Sequence, residues 1–189
     1  MALTATYYDR HVEQLFKTLQ RFTNAMTKAG IEYRLVGGFA VYLRVNDRDP
    51  AAARLTRDID VAVDRGDLDR ICQAVEPFGF RYRHAGGVDM LLDAARPTAK
   101  SAVHLLFVRE KVRPDYPTSV PGFSDTQPTS EGFLAASVAD LVTMKLTSFR
   151  LKDQVHIQDM DSVELITTEI EEQLSDTLRE RLAQVRRSE

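Results

Sequence analysis

The strongest constraint on the fold is the alternation of acidic and apolar residues from Asp58 to Val63, which reads Asp-Ile-Asp-Val-Ala-Val. Side chains two positions apart in a β-strand point to the same face, so Asp58 and Asp60 are predicted to project together while Ile59 and Val61 face a core. Two ionised carboxylates side by side repel each other and need a cation between them. Their oxygen atoms favour Mg²⁺ or Mn²⁺ over zinc. The pattern predicts a strand with a divalent-cation site; two solvated acids at a strand end are the alternative.

An upstream segment, Leu35 to Val41, predicts a strand, a glycine turn and the start of a helix in that order. Gly37 and Gly38 would let a phosphate approach the backbone without an intervening side chain. The first turn of the following helix would offer free N–H groups to an anion. A tight turn without a ligand is the alternative that Gly-Gly alone favours. The order of the elements, with the acidic strand next along the chain, favours a phosphate site.

Composition places the chain among ordinary globular proteins. Of its 189 residues 43% are hydrophobic, which is enough for a buried core, and 25 basic against 28 acidic residues give a net charge of −3. This balance argues against nucleic-acid binding through bulk positive charge. Cys72 is the only cysteine, so no intramolecular disulfide can form. Without an apolar run of membrane-spanning length or a signal-peptide pattern, the expectation is a cytoplasmic protein that does not bind membranes.

Hydrophobic periodicity and turn residues predict an α+β fold, in which a mixed sheet with flanking helices precedes a helical C-terminal lobe. The predicted domains are a core with an N-terminal helix over 1–130 and a helical lobe over 131–189. The predicted elements are a helix over 9–29, a strand over 33–36, a helix opening at 39–43, a loop over 44–55, a strand over 59–63, a helix over 67–76, strands over 80–83, 88–92 and 102–108 with a hairpin turn at 86–87, a linker over 109–132, a helix capped by Ser137, and a final helix over 169–186.

The stretch from Leu35 to Val63 resembles the signature of the DNA polymerase beta-like nucleotidyltransferase superfamily. That signature is a hydrophobic residue with Gly-Gly or Gly-Ser, a spacer, and then Asp-hydrophobic-Asp or Asp-hydrophobic-Glu. The run from Thr56 to Asp60, Thr-Arg-Asp-Ile-Asp, is most similar to the bacterial group that includes the (AbiEii-like) nucleotidyltransferase toxins of type IV toxin–antitoxin systems. The spacer between Gly38 and Asp58 is longer than usual, and we assign the excess to the 44–55 loop at the border of the site.

The resemblance implies a minimal nucleotidyltransferase fold and transfer of a nucleotidyl group with loss of pyrophosphate. Asp58 and Asp60 would then hold Mg²⁺ or Mn²⁺ and act in catalysis. Gly37, Gly38 and Thr56 would seat a nucleoside triphosphate such as ATP.

Members of the superfamily often carry a third acid on a later strand, where it helps one metal and accepts the proton of the acceptor hydroxyl. The matching strand is predicted around residues 102–107, and His104 stands at the acidic position. A neutral imidazole can ligate a metal or act as a base, while a hydrogen-bonded core histidine is an equal alternative. Asp89, one strand earlier, is a further candidate. This departure leaves the acceptor-activating step open, and a catalytically decayed protein remains an alternative.

The segment from Leu141 to Asp153 is similar to the family's C-terminal motif, a helix with a lysine, then an arginine, then Lys-Asp. The resemblance implies that Lys145 reaches the triphosphate, which suits a compact ammonium on a flexible stem. Arg150 and Lys152 would be further phosphate contacts, and Asp153 would orient one of these cations.

If this segment is one continuous helix, Lys145, Lys152, His156 and Asp159 share a stripe along it. A solvated charged face is the usual meaning of such a stripe. The apolar neighbours of Lys145 favour a buried role for this lysine instead.

Three functions remain open from sequence. The first is a nucleotidyltransferase with an RNA, tRNA or protein acceptor, toxin-like and paired with a cognate antitoxin. The second modifies a small molecule such as an antibiotic, and the third is a module that binds a nucleotide or a partner without turnover. Basic residues that would form an acceptor track, with solvated strand ends as the alternative, are Arg81, Arg83, His84, Arg109, Lys111 and Arg113.

Overall fold

The computed structural model describes residues 2–54, 56, 58–95, 97–98, 102–123 and 128–188. Arg57, part of the sequence signature, lies outside these residues. The helices are α1 (Ala2–Ala29), α2 (Gly37–Arg48), α3 (Leu68–Val75), α4 (Val138–Ser148), α5 (Leu151–Ser162), α6 (Thr168–Gln173) and α7 (Asp176–Arg187), and the strands are β1 (Arg34–Val36), β2 (Ile59–Val63), β3 (Phe80–Ala85), β4 (Val88–Asp93) and β5 (Val103–Phe107).

The five strands form one mixed sheet in the order β1-β2-β5-β4-β3. β2 and β5 are parallel, and the other neighbouring pairs are antiparallel. The register places Asp60 opposite His104 across the parallel pair and Met90 opposite His104 on the other side. Directly paired residues share a face of the sheet. Asp60 and His104 therefore lie side by side on one face, although 44 positions separate them in sequence.

The α+β architecture predicted from sequence is confirmed. β2 spans the predicted residues, and Gly86 and Gly87 form the predicted turn between β3 and β4 with φ of 60° and 74°. Ser137 caps α4 as expected, because its Oγ accepts a hydrogen bond from the Asp140 backbone N–H at 3.1 Å.

The predicted loop over 44–55 is wrong at its start, because α2 continues to Arg48. Val45 is 1% exposed, so burial of this apolar residue extends the helix beyond the predicted boundary. The helix ends where Asp49 precedes Pro50, since a residue before proline disfavours helical backbone.

The single final helix predicted over 169–186 is also wrong, because the structure has two helices, α6 and α7. The break lies at Leu174 and Ser175, which both have extended backbone. Leu174 is 5% exposed, so the chain leaves the helical path where this side chain enters the core. α1 also begins earlier than predicted, at Ala2.

A single large apolar cluster connects helices from both ends of the chain to the sheet. It contains Leu19 and Phe22 of α1, Phe39 of α2, and Leu178 and Leu182 of α7. The residues 134–136, just before α4, also pair with β1, since the N–H of Leu35 donates to Leu134 O and the N–H of Ala136 donates to Leu35 O. These contacts place the start of α4 beside β1, the strand that runs into α2. No helix in the described part of the chain combines the length and apolarity needed to cross a membrane.

Candidate active site

A pocket of about 300 Å³ opens where α2 begins, beside β2 and beneath α5. The residues from the sequence-predicted site that line it are Gly38, Thr56, Asp58, Asp60, Lys145, Arg150 and Lys152. Gly37, His104 and Asp153 contact members of this wall. The predicted site residues are thus brought together from four separate parts of the chain.

The two carboxylates of the pocket come from the start of β2. Asp60 is the second residue of the strand, and Asp58 immediately precedes it. Asp60 Oδ1 lies 3.2 Å from His104 Nδ1, and the Asp60 side chain is 27% exposed. Asp58 and Asp60 thus both line the pocket, and the Asp60 carboxylate is hydrogen-bonded to His104 of the neighbouring strand. In the described residues, no cluster of three or more His, Cys, Asp or Glu forms a metal-binding group.

Gly37 is required because the Asp60 side chain occupies the space that a Cβ would take. Its φ is +69°, and an added Cβ would lie 2.8 Å from both Cβ and Cγ of Asp60. At Gly38 a Cβ would lie 2.9 Å from Thr56 Oγ1 and 3.0 Å from His156 Cε1. The glycines therefore let the polar side chains of the site pack against the backbone, a reason that the sequence alone did not indicate.

The N-terminus of α2 reaches this pocket without a side-chain cap. Its N-cap residue is Val36, which has an extended backbone. Its apolar side chain cannot accept a hydrogen bond from the first N–H groups of the helix. The first N–H groups of a helix have no intrahelical acceptor and carry partial positive charge. Gly38 in the pocket wall thus presents a helix end suited to an anion.

His104 projects from β5 next to Asp60. The hydrogen bond to the Asp60 carboxylate raises the pKa of His104 against the opposing effect of burial, and the charges of Asp60 and Asp58 raise it further. His104 is therefore the basic partner of the carboxylate pair. Asp89, the other sequence candidate, lies on the opposite face of the sheet, because it pairs in register with Leu105 rather than with His104. Its carboxylate accepts from Tyr82 and lies 2.8 Å from His84 Nδ1, so it takes no part in the pocket.

Lys145 and Asp153 form a buried ion pair at the base of the pocket. Lys145 Nζ lies 3.1 Å from Asp153 Oδ1, and the two side chains are 6% and 0% exposed. Ser148 Oγ and Arg150 Nε donate to the other carboxylate oxygen at 2.8 and 2.7 Å. Burial alone would raise the pKa of Asp153, but the hydrogen bond from Arg150 and the charge of Lys145 lower it to about 2. Burial also lowers the pKa of Lys145, and Asp153 partly offsets this effect.

The segment that carries the charged stripe is not one continuous helix, so the condition for this stripe is not met. α4 ends at Ser148, Phe149 adopts a left-handed conformation with φ of 49°, and α5 starts at Leu151. The Asp153 carboxylate accepts from the Arg150 backbone N–H at 3.3 Å and caps the start of α5. The break turns α5 over the pocket, so Lys145 from one helix and Lys152 from the next still face the same space.

Two further charged residues of the pocket, Arg54 and Asp159, form an ion pair at 2.9 Å. Asp159 belongs to the stripe predicted from sequence. Arg54 is not predicted as a site residue by itself and falls within the 44–55 loop that the sequence places at the border of the site. A single arginine in a polar loop carries no distinctive signal. The pair links the 49–54 segment to α5 across the pocket mouth.

The basic residues considered as an acceptor track do not line this pocket in the described structure. Arg81, Arg83 and His84 lie on β3, which is at one edge of the sheet. Arg109 pairs with Asp64 at 2.5 Å, and the Arg113 guanidinium lies 5.9 Å from the centre of the Tyr116 ring. A track from the pocket to these residues stays a prediction.

No protein-family model matches the chain, and no curated protein sequence matches it. Two solved structures are similar in the path of the backbone. The first is the solution structure of the antibiotic-resistance factor ANT(2'')-Ia, with 11% sequence identity, a TM-score of 0.49, and coverage of 94% of this chain and 84% of that chain. The second is the crystal structure of ANT(2'')-Ia in complex with adenylyl-2''-tobramycin, with 12% identity, a TM-score of 0.46, and coverage of 90% and 95%.

Proposed function

We propose that this chain is a metal-dependent nucleotidyltransferase that moves a nucleotidyl group from a nucleoside triphosphate to an acceptor hydroxyl. The observation that carries the proposal is the convergence of two carboxylates, an uncapped helix N-terminus and a buried lysine on one pocket of about 300 Å³. Carboxylates suit a divalent cation, and the helix end and the lysine suit phosphate oxygens. Together these groups match the charge distribution of a metal-bound triphosphate.

The donor set fits one Mg²⁺ or Mn²⁺ shared with the nucleotide. Mg²⁺ is usually bound through one or two carboxylates plus substrate phosphates and water, rather than by a closed protein cage. Asp58 and Asp60 supply two carboxylates in the pocket wall, and phosphate oxygens and water would complete the coordination. A cation held there neutralises charge on the phosphates and on the leaving pyrophosphate.

In the proposed reaction the acceptor oxygen forms a bond to the α-phosphorus. The bond from the α-phosphorus to the oxygen that bridges to the β-phosphate breaks, and pyrophosphate leaves. Lys145 and the first-turn N–H groups of α2 stabilise the phosphate charge. His104 accepts the proton of the acceptor hydroxyl on Nε2 while Asp60 holds its Nδ1, a role that its raised pKa supports.

A nucleotide-binding module without turnover is the second candidate. The observation in its favour is that His104 occupies the strand position next to Asp60 and is hydrogen-bonded to it. A histidine in place of a carboxylate provides one ligand charge fewer for a second cation. Such a protein would bind a nucleoside triphosphate through the same pocket but would release no pyrophosphate.

The proposed reaction has two alternatives that differ in the molecule that carries the acceptor hydroxyl. An RNA or tRNA end, or a protein hydroxyl, would correspond to a toxin-like activity controlled by an antitoxin, and an antibiotic hydroxyl would correspond to a resistance activity. Expression of the protein in bacteria distinguishes the toxin-like activity from the resistance activity. Growth arrest that requires Asp58 supports the first, and drug resistance that requires Asp58 supports the second.

Labelling with α-phosphate-labelled nucleoside triphosphates and Mg²⁺ tests the reaction directly. Wild-type protein is incubated with total tRNA, with cellular protein and with aminoglycosides, and compared with Asp58→Asn and Asp60→Asn. We expect each variant to lose product by about 100-fold or more, because electrostatic stabilisation of the transition state is removed.

Asp69→Asn is the matched control for these substitutions, since Asp69 is an exposed aspartate on α3 outside the pocket. Equal labelling by the wild type and the two pocket variants contradicts the proposal. Calorimetric binding of the Mg²⁺-nucleotide without any product supports the second candidate.

A further inference from the structure

His156 is a titratable residue of the pocket wall that neither the proposed metal site nor the buried ion pair uses. It lies on α5, one turn beyond Lys152, and its Cε1 atom would be 3.0 Å from a Cβ at Gly38. The imidazole thus lies against the first turn of α2. This is the part of the pocket where the proposed function places the triphosphate.

The two nitrogens of this ring differ in their surroundings. Nδ1 is buried and has no hydrogen-bond partner among the described residues. Nε2 also has no hydrogen-bond partner among the described residues, but it is not fully buried. It is therefore the ring nitrogen with accessible surface. A buried N–H without an acceptor is rarer and less favourable than a buried acceptor without a donor. The proton is therefore expected on Nε2, with a bare lone pair on Nδ1.

The charge state of the ring is set by its surroundings. Burial and the positive charges of Lys145, Lys152 and Arg150 lower the pKa of His156, and Asp153 opposes this effect only in part. The ring is thus neutral near pH 7 and carries one N–H, on the side that faces accessible space. A neutral donor next to a helix N-terminus adds a directed hydrogen bond for an anion without adding another cation beside Lys145 and Lys152.

We propose that His156 donates its Nε2–H to a phosphate oxygen of the nucleoside triphosphate at the N-terminus of α2. The inference rests on the proposed function and adds to it a direct phosphate contact from α5. A contact there would join α5 to α2 through the bound phosphate. His156 would then be a binding residue whose contribution depends on one ring nitrogen.

Three substitutions distinguish the two nitrogens. In His156→Gln the side-chain amide reaches the place of Nε2, in His156→Asn it reaches only the place of Nδ1, and in His156→Leu both nitrogens are lost. We expect His156→Gln to bind within about threefold of the wild type, and His156→Asn and His156→Leu to bind about tenfold or more weakly, as for a hydrogen bond to a charged group.

Calorimetry with two probes in Mg²⁺ buffer measures these affinities. One probe is ATP, and the other is inorganic tripolyphosphate, which has neither sugar nor base. A contact to phosphate predicts the same loss with both probes. A loss that appears with ATP alone would overturn the inference, because the ring would then contact the nucleoside.

Thermal unfolding of the free protein is the second readout. Removal of the buried unpaired Nδ1 predicts that His156→Leu raises the melting temperature by about 2 °C or more while it weakens binding. Weaker binding together with a lower melting temperature would instead show a structural role and overturn the inference.

Asp60→Asn separates the failure of the inference from the failure of the proposed function. If the wild type binds neither probe, both the proposed function and the contact from His156 are refuted. If the wild type binds and Asp60→Asn weakens binding, but the three His156 variants bind like the wild type, only the contact from His156 is refuted.

Discussion

His156 and the Lys145–Asp153 pair show how single side chains set the charge of the pocket. Asp153 remains ionised at the base because Lys145, Ser148 and Arg150 all donate to it. Its negative charge thus balances cations of the chain itself, and only part of the positive charge of Lys145 is available to a ligand. His156 loses its charge in the same surroundings. The pocket therefore combines a partly neutralised lysine with a neutral imidazole rather than a simple cluster of cations.

The titration of His156 predicts a specific dependence of stability on pH. Its pKa is lowered to about 4 from the ordinary value of 6.5. Between these values the unfolded chain binds the proton and the folded chain does not, so the free energy of unfolding falls as the pH decreases from 6.5 to 4. One proton contributes at most about 1.4 kcal/mol per pH unit.

Urea unfolding of the wild type and His156→Leu at pH 7.0 and 5.0 measures this contribution. The expected result is a larger loss of stability for the wild type than for the variant on going to pH 5.0. The charges of Lys145, Asp153, Lys152 and Arg150 are present in both proteins, so their contributions largely cancel in the difference. Equal losses would show that His156 titrates normally in the folded protein.

The placement of residues with local signals can be predicted from sequence, whereas the pairing of distant strands cannot be read from either strand alone. Asp58 and Asp60 follow from the alternation of β2, and the turn at Gly37 follows from its position between a strand and a helix. The bond between Asp60 and His104 requires the register of two strands whose paired residues are 44 positions apart. Nothing local in either strand encodes this register: the resemblance to the superfamily places His104 at the acidic position, and the structure adds its hydrogen bond to Asp60.

At the scale of elements, the strand-to-helix turn at Gly37 and the corner between α4 and α5 determine the shape of the site. The first brings the α2 N-terminus against Asp60, and the second turns Lys152 back toward Lys145. The corner was missed because Phe149 has a left-handed backbone without being a glycine or asparagine. Arg181 stabilises it by donating to the Leu146 and Thr147 carbonyls and by lying 5.0 Å from the centre of the Phe149 ring.

Substitution of Gly37 by alanine tests the turn. The alanine would have to keep a φ of +69° and place its Cβ 2.8 Å from Asp60 Cβ and Cγ. We expect Gly37→Ala to lower the free energy of unfolding by about 3 kcal/mol, the sum of left-handed strain and overpacking. Urea unfolding measures the change.

Gly86→Ala is the matched control, because Gly86 has a similar φ of +60° but no atom within 4 Å of an added Cβ. It carries the backbone strain without the crowding, so we expect a loss of about 1 kcal/mol. If the two variants lose the same stability, the contact with Asp60 does not determine the need for glycine at position 37.

At the scale of the whole molecule, α7 is connected to the site although it contributes no residue to the pocket. Leu178 and Leu182 belong to the same apolar cluster as the sheet, and Arg181 holds the last carbonyls of α4. α7 thus contacts α4, the helix that carries Lys145. The division into a core over 1–130 and a lobe over 131–189 stays a prediction.

Arg181→Ala tests this contact of α7 with α4. The loss of two hydrogen bonds from a charged donor to backbone carbonyls at 2.7 and 2.8 Å predicts a destabilisation of about 2 kcal/mol. We also expect faster amide hydrogen exchange at Phe149, whose N–H donates to Lys145 O at the same corner. Arg187→Ala, an exposed arginine at the end of α7, should change neither quantity. An unchanged exchange rate at Phe149 in Arg181→Ala would show that α7 does not stabilise the corner.

The parallel pairing of β2 with β5 has a consequence for the order of synthesis and folding. Asp60 leaves the ribosome long before His104, and Lys145 and His156 follow later still. Contacts between residues so far apart in sequence form slowly, because a long segment of chain must be ordered before they are gained. A growing chain therefore contains β1, α2 and β2 while it still lacks every cation of α4 and α5. The pocket can form only after α5 has been synthesised, so a growing chain that stops before α4 would lack Lys145, Lys152 and His156 and with them the phosphate contacts proposed for these side chains.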